Sequence, residues 1–286
     1  MTIHTPTLGA VAERPTAYPD EQSSLLTLEW LDEDGADVVI ITFNRPEQRN
    51  PIDKHTIRAL RELLGDFAAN GSPRVIVLTG AGQAFSAGGD LRGYQQLYRD
   101  PVEFRQFIDD FDAVCDALEA SSSVVIAMIN GVCVAGGLEI ALACDIITIA
   151  DEARIGDGHL GFAQLPGAGG SQRLIRAIGV QHARRWLLTG DLFEASVAVK
   201  VGLAAFQAPL VSLREETVAL ARRMATRTPL GQRKMKELIR IGQRTHLDEG
   251  LRQETDLVHE YATQSYDATE GLLAFADRRP PVYEGR

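Results

Sequence analysis

Runs of apolar, β-branched residues alternate along the chain with segments in which apolar residues recur every three or four positions. The runs predict strands and the spaced segments predict helices. The predicted strands are 25–30, 37–43, 74–78, 124–129 and 146–150. The predicted helices between them run from just after Pro51 to about Gly71, from 102 to 120 and from 136 to 143. Strands that alternate with helices in this way are typical of an α/β fold.

The two ends of the chain differ from this alternating region. The first two strands flank an acidic turn at Gly35, which predicts a β-hairpin. After residue 170 the pattern becomes that of amphipathic helices. They are predicted at 171–178, 180–189, 194–201, 213–226, 230–245 and, with more polar residues, 249–275. We therefore expect a loosely ordered extension at 1–24, a core at 25–212 and a C-terminal helical region at 213–286.

The composition of the chain limits the classes of protein to which it can belong. The chain has 286 residues, 45% of them hydrophobic, and a formal net charge of -10. An acidic balance disfavours nucleic-acid or anionic-membrane partners, because these need a basic face. Neither a membrane span nor a secretory signal is predicted, so we expect a cytoplasmic protein. The three cysteines lie in apolar surroundings without metal-ligand spacing, and we expect reduced core residues and no metal site.

One carboxylate, Glu139, lies inside an apolar run just after Gly136 and Gly137. A buried carboxylate without a partner is costly, so such a residue is retained when something pairs with it or when chemistry uses it. The glycines allow a ligand to approach the backbone, and the start of the following helix offers free N–H groups to negative charge. The alternative is a structural acid in the first turn of a helix, worth about 0.3 to 1 kcal/mol.

A second glycine pair, Gly88 and Gly89, follows the predicted strand 74–78. Two N–H groups from separate segments, directed at one oxygen, form an oxyanion hole. Any one of these glycines alone could equally serve a tight turn. Other glycine-rich sites fit less well, since strand 74–78 is not followed by G-x-G-x-x-G. The chain also lacks Tyr-x-x-x-Lys, the Gly-Lys-Ser/Thr of a P-loop and the G-x-S-x-G of a serine hydrolase.

Taken together, several motifs in order resemble the enoyl-CoA hydratase/isomerase family, the crotonases. The resemblance covers about residues 25–286. It implies a crotonase-like spiral of strand-strand-helix repeats, with C-terminal helices that form a homotrimer or a dimer of trimers. It also implies an acyl-CoA thioester substrate, with coenzyme A as part of the substrate and no permanently bound cofactor. The motifs are Asn-Arg-Pro at 44–46, Phe-Ser-Ala-Gly-Gly-Asp-Leu at 85–91, the segments 130–139 and 144–146, and Pro-Gly-Ala-Gly-Gly-Ser-Gln-Arg-Leu at 166–174.

The resemblance also implies catalytic roles. The backbone N–H groups of Gly89 and Gly136 would hold the thioester carbonyl and stabilise an enolate. Glu139 matches the first of the two glutamates that handle the water and its proton. Counted back from Pro166, the second falls on His159, where the chain departs from the family. Imidazole titrates near neutrality, so His159 could supply a proton alone or paired with Glu139 or Asp157; a structural loop histidine is the alternative.

The remaining candidates concern binding of coenzyme A. In the family, the loop before the first oxyanion glycine helps to bind the adenine, which here implicates Ser86, Ala87 and Gly88. Arg49 is a candidate for the phosphates because guanidinium geometry suits them, although it could be a solvated loop residue. Phe275 lies where the family's tail approaches the pocket, with a surface or trimer contact as the alternative.

We predict an enzyme of fatty acid metabolism that hydrates a 2-enoyl-CoA to a 3-hydroxyacyl-CoA. Two related reactions stay open. Isomerisation of the double bond needs only one base, which Glu139 could provide. Hydrolysis of a carbon–carbon bond in a β-keto acyl-CoA would use a histidine to activate water. A non-enzymatic scaffold with the same fold is disfavoured by the retention of Glu139.

Overall fold

A six-stranded sheet forms the centre of the fold in the computed structural model, which describes residues 25–31 and 37–286. The first two strands are antiparallel, which confirms the predicted pairing, and the other neighbours are parallel. The predicted extension at 1–24 and most of the hairpin turn lie outside the described residues. In spatial order the strands are β1 (Leu26–Leu31), β2 (Val38–Phe43), β3 (Val75–Gly80), β5 (Val124–Ile129), β7 (Ile146–Ala150) and β10 (Phe206–Ala208).

A second sheet of four short strands lies beside the first. It consists of β4 (Ala84–Ser86), β6 (Val132–Val134), β8 (Arg154–Gly156) and β9 (Phe193–Glu194). Each long strand β3, β5 and β7 is followed in the chain by one short strand and then by helix, so strand-strand-helix units succeed one another. This arrangement places the ends of β4 and β6, and the loops that follow them, side by side.

Helices cover the sheets. Every residue of β3 and β5 is buried, as expected for parallel strands covered on both faces. The helices are α1 (Lys54–Asn70), α2 (Leu91–Leu97), α3 (Pro101–Ala120), α4 (Gly136–Ala143), α5 (Gly170–Thr189), α6 (Ala195–Lys200), α7 (Leu210–Ala225), α8 (Pro229–Arg244), α9 (Leu247–Gln264) and α10 (Tyr266–Ala276). No helix in the described ranges is long and apolar enough to cross a bilayer.

Local signals set several helix ends. Asp53 caps α1 by accepting hydrogen bonds from the N–H groups of His55 and Thr56. Gly179, at φ 74°, interrupts α5 between the two segments predicted at 171–178 and 180–189. The single helix predicted at 249–275 is wrong, because Ser265 separates α9 from α10 and caps the latter. Helix α2 was not predicted.

The C-terminal helices divide into two kinds. Helix α7 packs on the large sheet, and its Thr217 hydroxyl lies 2.9 Å from that of Thr148 on β7. Helix α8 has no buried residue, although apolar residues such as Met235 and Ile239 share one side of it. The predicted boundary between 212 and 213 stays a prediction.

Candidate active site

A cavity of about 600 Å³ lies between the loop after β4, helix α3, the start of α4 and the loop before α5. Gly89, Gly136, Glu139 and His159 all line it. The four residues predicted to be catalytic therefore come together in space, although they lie on three separate segments of the chain. The spiral causes this convergence, because successive short strands β4, β6 and β8 deliver their following loops to the same side.

Two glycine amides lie at the cavity surface. Gly136 is the first residue of α4, where a helix has no internal acceptor for its N–H groups. Gly89 lies in the loop between β4 and α2. In the described part of the chain, neither N–H has a hydrogen-bond acceptor. Both amides are therefore available to an oxygen of a ligand.

Close packing explains why glycine is needed around these amides. Gly88 has φ 91°, and a Cβ added there would approach the Cβ of Ala135 to 2.9 Å. The buried Ser86 hydroxyl accepts a hydrogen bond from the Gly88 N–H at 3.1 Å. The carbonyl oxygen of Gly88 accepts from the Ile52 N–H at 2.8 Å. The two hydrogen bonds fix the loop of the first amide, and the close approach of Gly88 to Ala135 places it against the loop of the second.

Glu139 is only 2% exposed, and its two carboxylate oxygens have different surroundings. Oε1 accepts hydrogen bonds from the N–H groups of Ala168 and Gly170 at 2.8 and 3.0 Å. Oε2 lies 3.9 Å from Nε2 of His159. Burial raises the pKa of Glu139 above the usual value, and His159 and the two backbone hydrogen bonds offset this only in part. The result is a fixed carboxylate that takes up a proton more readily than an exposed one.

His159 connects Glu139 to a second buried acid, Asp157, which is 2% exposed. Nδ1 of His159 lies 3.0 Å from Oδ1 of Asp157, and the His159 N–H donates to Oδ2 at 3.3 Å. Burial lowers the pKa of His159, but the hydrogen bond and charge of Asp157 and the charge of Glu139 outweigh it and raise that pKa. The imidazole is thus oriented by Asp157, stabilised in its charged form, and directed at Glu139.

The predicted coenzyme A contacts are less uniform. Ala87 lines the cavity, and its N–H donates to the carbonyl oxygen of Arg49 at 2.9 Å. The Arg49 side chain is exposed and, among the described residues, has no hydrogen-bond or ion-pair partner. Ser86 is fully buried and does not line the cavity. Phe275 is 86% exposed on α10, and a single chain does not bring it to the cavity.

Sequence reasoning missed an aromatic wall on one side of the cavity. Neighbouring ring centroids along it are 4.8 to 6.1 Å apart. The phenylalanines recur at helical spacing on α3, so that period could have revealed them. The tyrosines had no such signal, since Tyr94 lies on the short helix α2 and Tyr98 directly follows it. Gly136 lies against this wall, since a Cβ added there would come 3.2 Å from Phe111. The aromatic wall comprises Tyr94, Tyr98, Phe104, Phe107 and Phe111.

No group of three or more His, Cys, Asp or Glu side chains within the described ranges could hold a metal ion. The groups that the cavity offers to a ligand are therefore backbone amides, the Asp157–His159–Glu139 chain and the aromatic wall. Such a set can polarise a carbonyl and move protons beside it.

Comparison with known proteins agrees with this geometry. The family model described as enoyl-CoA hydratase/isomerase matches residues 33–286. The 2,3-dehydroadipyl-CoA hydratase of Escherichia coli (strain K12) is 33% identical over 249 residues, 87% of this chain and 96% of that protein. A crystal structure of an enoyl-CoA hydratase from Bacillus anthracis superposes with a TM-score of 0.85 and 33% identity, covering 92% of this chain and 100% of the other.

A second solved structure, an enoyl-CoA hydratase from Polaromonas sp. JS666, gives a TM-score of 0.84 at 27% identity over 91% of this chain and 99% of that one. These matches confirm the predicted fold class, a spiral α/β core with C-terminal helices. The chain belongs to the enoyl-CoA hydratase/isomerase family of enzymes.

Proposed function

We propose that this enzyme adds water to a 2-enoyl-CoA and forms the 3-hydroxyacyl-CoA. The observation that carries the proposal is the arrangement of Glu139 between two backbone donors and His159. Two glycine amides without an acceptor in the described part of the chain share the cavity with them. Hydration needs a base for water, a proton donor and a site for negative charge. Glu139, His159 and the amides supply these three functions.

The proposed reaction begins when the thioester oxygen accepts hydrogen bonds from the N–H groups of Gly89 and Gly136. Glu139 takes a proton from a water molecule, whose oxygen bonds to the β carbon. The electron pair of the double bond moves toward the thioester, giving an enolate held by the two amides. The imidazolium of His159 then gives its proton to the α carbon.

One water molecule has now been added, and Glu139 is protonated while His159 is neutral. Transfer of the proton from Glu139 to His159 restores the starting state. Their side chains are 3.9 Å apart, beyond direct hydrogen bonding but within reach of a shared water at about 2.8 Å from each. His159 thereby takes the place of the second glutamate in the same chemical cycle.

A second reaction has one specific observation in its favour. The hydrogen bond that Nδ1 of His159 donates to Asp157 is the arrangement that orients a histidine as a general base for water. In that case His159 would take a proton from water, the water oxygen would attack the β-keto group of an acyl-CoA, and a carbon–carbon bond would be cleaved. Hydration is preferred because Glu139 lies in the same cavity with a raised pKa, and cleavage with His159 as the base would leave Glu139 without a function.

The reactions separate by product mass. Incubation with crotonyl-CoA, cyclic 2-enoyl-CoAs and β-keto acyl-CoAs should show loss of enoyl absorbance and a product heavier by one water. An isomer of unchanged mass would identify the reaction as isomerisation. Cleavage of the β-keto substrates alone would identify it as hydrolysis of a carbon–carbon bond. No turnover of any thioester would support the scaffold.

For coenzyme A, we propose that Arg49 contacts a phosphate and that the 86–88 loop lies along the adenine through its backbone. The support is the exposed Arg49 guanidinium, which has no partner among the described residues, and the backbone carbonyl of Arg49, which accepts a hydrogen bond from Ala87 at the cavity. Because Ser86 is buried, its part is to shape the loop through Gly88. We further propose that the enzyme binds no permanent cofactor and that it acts in the cytoplasm, in fatty acid metabolism.

We also propose a homotrimer, or a dimer of trimers, built with the C-terminal helices. The support is α8, an amphipathic helix whose apolar residues Met235 and Ile239 are 57% and 55% exposed in one chain. Light scattering during gel filtration should give about three or six times the chain mass of 31.2 kDa. Replacing Met235 and Ile239 with Glu should yield monomers, whereas Val211→Glu, on the exposed side of α7, should not. A wild-type monomer at micromolar concentration would contradict this proposal.

A further inference from the structure

Tyr94 places a hydroxyl beside the first glycine amide. Its side chain lines the cavity, and a Cβ added to Gly89 would overlap the Tyr94 hydroxyl. Among the described residues this hydroxyl has no hydrogen-bond partner, whereas the hydroxyl of the neighbouring Tyr98 donates to Gln164. Tyr94 therefore offers the cavity an O–H that has no partner among the described residues, next to Gly89, one of the two glycines proposed to hold the thioester oxygen.

The ring that carries this hydroxyl is held in place. It stacks on Tyr98 at 5.6 Å and 17°, and it lies 5.9 Å from Phe107. The Tyr94 N–H donates to the carbonyl oxygen of Asp90 at 2.9 Å, so the segment from Gly89 to Tyr94 is one short folded unit. A donor fixed in this way needs little reorganisation when charge develops on a nearby oxygen.

The hydroxyl also keeps its proton. Burial raises the pKa of Tyr94 far above its usual value, and the nearby charges, including that of Glu139, raise it further. The hydroxyl and the proposed base, Glu139, line the same cavity. A neutral O–H can donate a hydrogen bond to an oxyanion there but cannot act as a base.

We infer that Tyr94 is a third hydrogen-bond donor to the thioester oxygen, alongside the N–H groups of Gly89 and Gly136. The inference rests on the proposed enolate chemistry. No bond to Tyr94 forms or breaks in the reaction. The hydroxyl donates more strongly as the carbonyl becomes an enolate, so its contribution falls on the transition state more than on substrate binding. Its ligand class is an α,β-unsaturated thioester.

The test removes one oxygen atom from each of two adjacent rings. Tyr94→Phe should lower kcat about 10- to 100-fold with KM changed less than about threefold, as expected for loss of a hydrogen bond to a charged group. Tyr98→Phe is the matched control, because it loses a hydroxyl that is bonded to Gln164. The loss in Tyr94→Phe should exceed that in Tyr98→Phe at least about threefold. Equal losses would overturn the inference.

A spectroscopic readout separates this role from a merely structural one. A conjugated 2,4-dienoyl-CoA should bind with its absorbance shifted to longer wavelength and its thioester C=O infrared band shifted to lower frequency. Tyr94→Phe should reverse part of both shifts. If Tyr94→Phe binds this probe with the wild-type shifts, the hydroxyl does not contact the thioester oxygen. The measurement needs no turnover, so a wild type that shifts the probe but hydrates no substrate would end the proposed function and leave this inference standing.

Discussion

Replacing Glu139 with Gln is expected to lower kcat by about 10³- to 10⁴-fold and to leave the fold intact. A glutamine has no basic oxygen, so it cannot take the proton from water. Its amide oxygen can still accept the hydrogen bonds that Ala168 and Gly170 donate to Oε1. Steady-state kinetics on the enoyl-CoA that the panel identifies, with circular dichroism as the check on folding, measures both effects.

Two further variants sharpen this result. Glu103→Gln makes the same change on an exposed carboxylate paired with Lys54, and it should keep wild-type activity. Glu139→Ala should lose about 2 to 4 kcal/mol of stability in addition to activity, because the Ala168 and Gly170 N–H groups are left buried without an acceptor. A Glu139→Gln enzyme with more than about a tenth of the wild-type kcat would remove Glu139 from the role of base.

The raised pKa of Glu139 also has a consequence for stability. A group whose pKa is higher in the folded chain favours folding when protonated, and this contribution is lost as pH rises through the folded pKa. Near neutral pH the ionised Glu139 therefore opposes folding. For this reason the neutral Gln variant should melt at the same temperature as the wild type or higher, as often happens when a functional group is removed.

The long strands were predictable because both of their faces are covered. Strands β5 and β7, at Val124–Ile129 and Ile146–Ala150, have the bounds that their apolar runs predicted, and α4 begins at the predicted Gly136. Burial on both faces leaves an uninterrupted apolar run, which is easily recognised. The helix start just after Pro51 and the division between 171–178 and 180–189 were also predictable, because Asp53 and Gly179 act on their own neighbours in sequence.

Shorter elements could not be predicted in this way. Strands of two or three residues, such as β9 at Phe193–Glu194, are too short to show a period, and α2 has one buried residue. The break at Ser265 lies in a continuous helical pattern, and it is marked by the extended backbone of Ser265 and by its hydroxyl, which accepts a hydrogen bond from the Ala268 N–H.

The site was predicted as a set of residues and not as a geometry. The apolar run around it led to Glu139, and the family motifs led to the position of His159, but the 3.0 Å contact that joins His159 to Asp157 depends on the turn between them. Tyr94 was missed because its significance lies in a contact with Gly89 across a loop. Phe275 was assigned from its place near the end of the chain, while its position in space depends on the packing of α10.

Replacing Asp157 with Asn is expected to move the alkaline limb of the activity profile to lower pH. In the proposed reaction Glu139 must start deprotonated and His159 protonated, so kcat/KM should be bell-shaped in pH. Asp157 raises the pKa of His159 through a hydrogen bond and its charge, and burial lowers it. Without the charge the pKa of His159 falls, and the imidazolium is lost at a lower pH.

The effect should therefore grow with pH. On the acid side of the profile the Asn variant should keep much of its activity, whereas on the alkaline side the loss should reach about tenfold for each pH unit by which the limb moves. His159→Gln should lack this limb and be slow at every pH. Asp109→Asn, at an exposed acid on α3 paired with Arg105, serves as the control of equal charge change and should keep the wild-type profile.

An Asp157→Asn enzyme whose alkaline limb coincides with that of the wild type would show that His159 is not the proton donor. The three-membered chain would then be structural, and Glu139 would have to supply as well as accept the proton, as isomerisation by a single base requires.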